Sequence, residues 1–218
     1  MAFGAQSQLV IFDIHSRLIR PLRSGAMPRF MRDHRLLFFW QTQGSTEDLY
    51  KLSIGQSDNA MKIANGPSTN SFKDWITDTR RGPVAAMSND DVLFLGNDLY
   101  VWRYNLTKSA LTRTDVRNCG PKGWRIATQE LICGRGSNEY FTIRLDGRNS
   151  RYLKTLSGAR GLFYVPELDS AFYAKEWGSV LRLTASATSI RAYDFKTEKE
   201  DWLSERGPFY NDGTWCPR

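Results

Sequence analysis

Two short sequence markers recur along the chain, and their recurrence constrains the possible folds more than any other feature. The first marker is a glycine followed by proline or alanine, placed just before a predicted strand. It occurs at Gly25, Gly82, Gly120, Gly158 and Gly207. The separations are 57, 38, 38 and 49 residues. Self-similarity at such an interval is typical of repeat architectures.

The second marker is a strand that ends in an apolar–polar–apolar triplet and is followed by a polar turn. The triplets are centred on Asp13, Ser53, Asn105, Arg144 and Asp194. Their centres are 40, 52, 39 and 50 residues apart, and continuing from 194 through the C-terminus to 13 gives 37. Both markers therefore predict five units.

The best-preserved unit is Met27–Gly55. Its apolar runs, Leu36–Phe39 and Leu49–Leu52, are separated by polar turn residues, which is the pattern of strand, turn and strand. Aromatic residues make up 13% of the chain, and such enrichment favours strands. The period fits the four-stranded blade of a β-propeller. We therefore predict an all-β, five-bladed β-propeller forming one domain over residues 1–218, with a β-sandwich as the competing fold.

Four blades can be assigned to consecutive stretches of sequence. They begin with PRFMRD, VAAMS, GWRIATQ and GLFYVP, and each contains three further short strands, the last of blade three being RYLKTL at 151–156. The fifth blade is predicted to combine both termini. N-terminal QLVIFDI and SRLIRPL would supply its outer strands and C-terminal GPFYNDGTW its inner strand. Such pairing closes the ring and leaves no long sheet edge between the first and last blades.

Residues 28–39, PRFMRDHRLLFF, resemble the P-x-[WF]-S-P-D-G-x-x-[IL]-x-[FY] signature of TolB-like (WD40-like) propeller repeats. Asp48-Leu49-Tyr50 falls where those repeats have D-[IL]-Y. Met31, Arg32 and His34 stand in place of the Ser, Pro and Gly of the signature. The resemblance is confined to blade one. It implies a propeller and a bacterial, often periplasmic, protein that works by binding.

The charge balance favours an acidic partner. The net charge is +7 and the pI is about 9.4, which suits an acidic protein face, an anionic polysaccharide or a membrane surface. The basic residues are scattered and form no long run, so specific nucleic-acid binding is not predicted. No apolar run approaches the ~20 residues that span a bilayer. We expect a periplasmic or secreted protein whose signal peptide has been removed, with the cytoplasm as the alternative.

The sequence predicts neither a metal site nor a cofactor. The only histidines, His15 and His34, lie in different predicted turns, so they form no metal-ligand cluster. Cys119, Cys133 and Cys216 have no CxxC spacing. They are compatible either with one disulfide, which would fit an oxidising compartment, or with three buried thiols.

In five-bladed glycosidases, catalytic carboxylates on the innermost strands converge on the central channel. The candidate carboxylates are Asp33, Asp91, Glu167 and Asp212, which lie only at strand ends, where turn residues usually occur. We therefore predict a non-enzymatic protein with no catalytic residues, and a glycoside hydrolase is the alternative.

Two long departures from the blade pattern indicate a binding face. They are 66–81, between blades one and two, and 177–188, between the middle strands of blade four. In a propeller both fall on the same face, and long loops on a rigid scaffold often carry function. Every inter-blade junction on that face also contains a base, including Arg23 and Arg117. The predicted binding residues are Phe72, Trp75, Arg80, Arg81, Lys122, Arg160, Trp177 and Arg206.

Exposed aromatic residues beside arginines are typical of protein-binding hot spots. The prediction is therefore a propeller that binds an acidic bacterial protein through this basic face, in the manner of an inhibitor or immunity protein. Two alternatives stay open: the tryptophans cover the core, or the face binds carbohydrate by aromatic stacking.

Overall fold

The computed structural model describes residues 8–12, 19–31, 36–43, 46–54, 59–68, 84–135, 139–176 and 188–204. Within these ranges the protein is all-β, with eighteen strands and one 3-10 turn. No helix in this part of the chain has the length and apolar character needed to cross a membrane.

The strands form four four-stranded antiparallel sheets in sequence order, preceded by a two-stranded sheet. The N-terminal pair consists of β1 (Gln8–Phe12) and β2 (Ile19–Ser24). Sheet I consists of β3 (Ala26–Phe30), β4 (Leu36–Gln43), β5 (Thr46–Ser53) and β6 (Met61–Ser68). Sheet II consists of β7 (Ala85–Ala86), β8 (Asp91–Leu95), β9 (Tyr100–Asn105) and β10 (Ala110–Arg117).

Sheet III consists of β11 (Gly120–Arg125), β12 (Glu130–Arg135), β13 (Glu139–Ile143) and β14 (Arg151–Tyr152). Sheet IV consists of β15 (Ala159–Val165), β16 (Ser170–Glu176), β17 (Thr188–Asp194) and β18 (Lys199–Ser204). In each sheet, consecutive strands are neighbours.

The sequence markers correspond to fixed positions in these sheets. The triplets mark the ends of the third strands, because β5, β9, β13 and β17 end at Ser53, Asn105, Ile143 and Asp194. The first triplet begins at Phe12, the last residue of β1. The predicted inner strand of a fifth blade, within 207–215, lies outside the described residues.

Two predicted strand limits are corrected. The sequence predicted a strand over 151–156, but β14 ends at Tyr152 and a 3-10 turn occupies Lys154–Leu156. The turn lets Leu153 and Leu156 both enter the core between sheets III and IV. In addition, β6 continues to Ser68, so the first long insertion begins after Ser68 rather than at Gly66.

Each hydrophobic core is shared by two sheets that are consecutive in sequence. Leu9 of the N-terminal pair packs with Leu37, Phe39, Tyr50 and Leu52 of sheet I. The next core joins sheet I to sheet II, and another joins sheet II to sheet III. The last joins sheet III to sheet IV and includes Tyr140, Tyr164, Tyr173 and Tyr193. Burial of these faces supplies the main driving force for stacking the sheets.

The two ends of the sheets differ in their connections. At the loop end, second strands lead to third strands and fourth strands lead to the next sheet. At the turn end, short turns join first to second and third to fourth strands. The ends of sheets III and IV lie together: at the loop end Tyr140 donates to the carbonyl of Ala159, and at the turn end Arg151 pairs with Glu198.

A disulfide between Cys119 and Cys133 fastens the start of sheet III. Cys119 directly precedes β11, Cys133 lies in β12, and both are fully buried. Their separation of 14 residues corresponds to about 3 kcal/mol of stabilisation by the loop-entropy estimate. The structure therefore contains one disulfide, which is one of the two alternatives that the sequence left open.

Candidate functional site

The structure describes only some of the predicted binding residues. Phe72, Trp75, Arg80, Arg81, Trp177 and Arg206 lie outside the described residues. Of Arg160, the structure describes only the backbone, in β15. Lys122 is described in full, on β11 and partly buried.

Lys122 lies at an irregularity in the first strand of sheet III. The pairing of β11 with β12 shifts between Pro121 and Gly123, so Lys122 is one extra residue on β11. Its Cε atom lies 2.8 Å from the position that a Cβ on Gly134 would occupy. The absence of a side chain at Gly134 therefore makes room for the lysine chain across β12.

The same kind of irregularity occurs in the first strands of sheets I and IV. The register shifts between Ala26 and Arg29 in β3, and between Arg160 and Phe163 in β15. A β-bulge bends the strand and re-aims its side chains. Here Arg29 of β3 places its guanidinium 4.8 Å from the ring centre of Phe163 on β15. Bulged first strands thus bring a cation and an aromatic ring together from two sheets.

Further arginines at the loop end rest on aromatic rings. The Arg135 guanidinium lies 4.9 Å from the ring centre of Phe141, and its Nε donates to the carbonyl of Asn118. Arg113 and Arg117 both lie over Tyr100, at 4.6 and 5.6 Å. All three arginine side chains are exposed, and within the described ranges none forms an ion pair with a carboxylate.

The predicted junction base Arg23 behaves differently. Its guanidinium stacks against Phe39 and Tyr50, which belong to the core between the N-terminal pair and sheet I. We therefore assign Arg23 to packing. Arg117 remains an exposed base, as the junction pattern predicted.

The turn end holds a buried ionic network between sheets III and IV. Arg125 donates to both carboxylate oxygens of Asp169, at 3.0 and 2.8 Å, and to Glu130 at 3.0 Å. The Tyr164 hydroxyl also donates to Asp169. Burial alone would raise the pKa of Asp169, but the hydrogen bonds from Arg125 and Tyr164 outweigh it and lower that pKa.

A second network surrounds Asp91, one of the candidate catalytic carboxylates. Arg103 donates to both of its oxygens at 2.8 Å, and Asn105 and Ser88 donate as well. The hydrogen bond from Arg103 lowers the pKa of Asp91 to about 2, against the opposing effect of burial. A carboxyl group with this pKa is ionised at neutral pH and is a poor general acid.

The other catalytic candidates are not brought into a described site. Glu167 is exposed in the turn between β15 and β16. Asp33, Asp212 and both histidines lie outside the described residues. Among the residues that the structure does describe, no group of three or more His, Cys, Asp or Glu could hold a metal ion.

Sequence reasoning missed Arg113, Arg135 and Tyr100. Arg113 and Arg117 are four residues apart on β10, which is a weak signal because exposed strands often carry two basic residues. Their convergence on Tyr100 depends on a shift in strand register that the sequence does not reveal.

No protein-family model matches the sequence. No curated protein matches it at a significant level. Solved structures do match the fold. TolB from Acinetobacter baumannii aligns with a TM-score of 0.66 and 11% identity, over 94% of this chain and 50% of that one. A Bacteroides thetaiotaomicron protein of unknown function aligns with a TM-score of 0.59 and 11% identity, over 90% and 52%.

An oligogalacturonate lyase in complex with manganese aligns with a TM-score of 0.54 and 16% identity, over 91% of this chain and 59% of that one. The chain thus spans about half the length of TolB and of the Bacteroides protein. At these identities the likeness shows the fold alone, and it confirms the TolB-like resemblance seen in blade one. One neighbour is a lyase, so the fold does not decide whether this chain is an enzyme.

Proposed function

We propose that this protein is a non-enzymatic, five-bladed propeller that binds an acidic protein through its loop end. The observation that carries the proposal is the state of the loop-end arginines. Arg113, Arg117 and Arg135 are exposed, stacked on aromatic rings and without a carboxylate partner in the described part of the chain. Exposed arginine beside an aromatic ring is the side-chain combination enriched at interface hot spots.

A single ring over residues 1–218 is supported by the order of the cores. Each sheet packs on the next, and β1–β2 packs on sheet I as the outer half of a further blade would. We propose that residues 207–215 supply its inner strand and close the ring against sheet IV. In such a ring the two long connections would lie at the loop end, beside Lys122 and Arg160, with Phe72, Trp75, Arg80, Arg81, Trp177 and Arg206 completing the face.

The absence of catalysis is proposed on the state of the described carboxylates. Arginines hold both Asp91 and Asp169, and the pKa of each is lowered. Neither can supply the protonated carboxyl that a glycoside hydrolase needs at neutral pH. Without such a group, the proposed protein acts by binding through its surface, as an inhibitor or immunity protein does.

A periplasmic or secreted location is proposed on the disulfide. Cys119 and Cys133 are bonded to each other, and such bonds persist in oxidising compartments. Retention of the bond in protein isolated from the source organism, with thiols trapped at lysis, would support this location. A fully reduced pair in that preparation would contradict it.

The test of the proposed function is affinity capture from the source organism, followed by substitutions at the loop end. We expect the captured protein to be acidic, and its retention to fall when Trp75, Arg81 or Lys122 is changed to alanine. The matched control is K196Q/K199Q, which removes two exposed lysines at the β17–β18 turn, at the other end. Full retention by all three loop-end variants would exclude this face.

Binding of an acidic carbohydrate is the second candidate, favoured by the shared fold of the oligogalacturonate lyase. A glycan array that includes galacturonate oligomers tests it. Saturable binding that depends on Trp75 or Trp177 would support the carbohydrate candidate over the protein partner.

A further inference from the structure

The last strand of sheet II contains an unusually large bulge. On β10, Arg113 pairs with Trp102 and Arg117 pairs with Tyr100 of β9. Four residue steps on β10 therefore span two steps on β9. Because paired residues share a face of the sheet, the bulge places Arg113 and Arg117 on the same face as Trp102 and Tyr100.

The residues inside the bulge are each held in place. The Thr114 hydroxyl donates to the carbonyl of Val101 at 2.8 Å, and it accepts from the backbone N–H of Val116 at 3.2 Å. Val116 is fully buried in the core between sheets II and III. The backbone N–H of Asp115 donates to the carbonyl of Leu145, in the turn between β13 and β14 of sheet III.

Asp115 is thereby drawn toward the β13–β14 turn. A Cβ added to Gly147 would lie 3.2 Å from the carbonyl oxygen of Asp115, and Gly147 has a φ of +76°. Asp115 lies between Arg113 and Arg117 in the sequence, and in the described part of the chain it forms no ion pair with either of them. The local fold thus separates the charges of the segment RTDVR.

The bulge places two guanidinium groups over the ring of Tyr100. Arg113 lies 4.6 Å and Arg117 5.6 Å from the centre of Tyr100, and both side chains are exposed. Neither has a carboxylate partner in the described ranges. Two like charges at one ring repel each other, and an anionic ligand would relieve that repulsion. A stacked guanidinium keeps its N–H edge available for bidentate bonds to a carboxylate.

We propose that Arg113, Arg117 and Tyr100 bind two carboxylates of an extended acidic segment of the partner protein, lying along the edge of β10 at Ala110–Arg113. This inference rests on the proposed function and names the chemistry of the partner. The edge is available because β10 is the outermost strand of its sheet, and Ala110–Arg113 are exposed. Side chains at alternate positions of an added strand share one face, so two such carboxylates face the two arginines.

A synthetic probe tests the site without knowledge of the partner. The probe is a fluorescein-labelled decapeptide of alternating threonine and glutamate, and its control has glutamine in place of glutamate. We expect binding of the glutamate peptide only, measured by fluorescence anisotropy at low salt. R113Q/R117Q should weaken binding about tenfold or more, because two charge-assisted pairs are lost.

K196Q/K199Q is the matched control, since it removes the same charge from exposed positions at the β17–β18 turn of sheet IV. It should change the affinity by less than about twofold, the effect of net charge alone at a distance. Bound peptide should also slow amide hydrogen exchange over Ala110–Arg113, which stacking of the arginines alone would not do. Equal losses in the two double variants, no slowing of exchange, or no binding by the wild type would each overturn the proposal.

Two further outcomes separate this site from the wider face. A captured partner that needs Trp75 or Lys122 but is unaffected by R113Q/R117Q would overturn this inference and leave the proposed function standing. Tighter binding of a galacturonate oligomer than of the peptide, with the same dependence on Arg113 and Arg117, would overturn the peptide as ligand and favour the carbohydrate candidate.

Discussion

Arg125 at the turn end and Arg117 at the loop end are the same side chain in opposite surroundings. Arg125 is 5% exposed and gives hydrogen bonds to two carboxylates, while its guanidinium also lies over Phe195. Arg117 is exposed and contacts the ring of Tyr100. The first joins two sheets, and the second covers an aromatic ring. The difference teaches that the positive charge of this chain has two separate uses.

The same division extends to the neighbouring residues. Asp91, Asp169 and Glu130 each form an ion pair with an arginine, so these turn-end carboxylates have basic partners within the protein. At the loop end, Arg113 and Arg135 share the situation of Arg117. Substitutions should therefore affect stability at one end and binding at the other.

The largest effect on stability is expected from Arg125→Met. The change leaves Asp169 and Glu130 without their cation in a buried site, which costs about 3–5 kcal/mol. Urea unfolding of the variant and the wild type measures the loss. Arg117→Met serves as the control and should shift stability by less than about 0.5 kcal/mol. Similar losses for the two variants would remove the distinction between the ends.

Removal of the disulfide should have the next largest effect. The double variant Cys119→Ala and Cys133→Ala is expected to lose about 3 kcal/mol, because the unfolded chain regains the freedom of a 14-residue loop. Thermal unfolding under oxidising conditions measures this loss. Addition of a reductant should lower the stability of the wild type and leave the variant unchanged. An equal response of both proteins would show that the bond contributes little.

A smaller, pH-dependent effect is expected for Asp91. Its pKa in the folded protein is about 2, below the ordinary value of 3.8, so its ionised form stabilises the fold above pH ~4. That contribution should be lost as the pH falls from about 4 to 2. Because Arg103 is partly exposed, we expect about 1–2 kcal/mol.

Asp91→Asn isolates this contribution. The variant should be less stable than the wild type at pH 6, and the gap should narrow toward pH 2. Unfolding curves across this pH range provide the measurement. A constant gap between pH 6 and pH 2 would contradict ion pairing as its cause.

The smallest effect on stability is expected for Arg135→Gln. Its guanidinium is exposed over Phe141, so the free energy of unfolding should change by less than about 0.5 kcal/mol. Retention of the captured partner should nevertheless weaken, most clearly at low salt. A stable variant with unchanged retention would limit the binding face to other residues.

The strand framework could be predicted because its signals are local. A triplet with an apolar–polar–apolar pattern ends a strand in each sheet, and glycine precedes the first strands of sheets I and IV. Both signals depend on the alternation of apolar and polar residues and on turn residues within a few positions of the chain. Residues 151–156 departed from the prediction because burial of Leu153 and Leu156 between sheets outweighed their apolar strand-like pattern.

The arrangement of the site could not be predicted, because it depends on register between strands. The bulge at Lys122 and the larger bulge at Thr114 are visible only when two strands are aligned. Which two of three cysteines form a bond likewise depends on the placement of Cys119 beside β12. The sequence indicated the basic residues at the junctions but not the aromatic rings that they contact.

The sharing of cores between consecutive sheets has a consequence for synthesis on the ribosome. Sheet II can bury one face only against sheet I, which emerges before it, and must expose the other until sheet III follows. Growth of the chain thus extends the stack one sheet at a time, with a bare apolar face at its leading edge. A pause in translation between residues 118 and 158 would prolong the exposure of that face and should raise recruitment of chaperones.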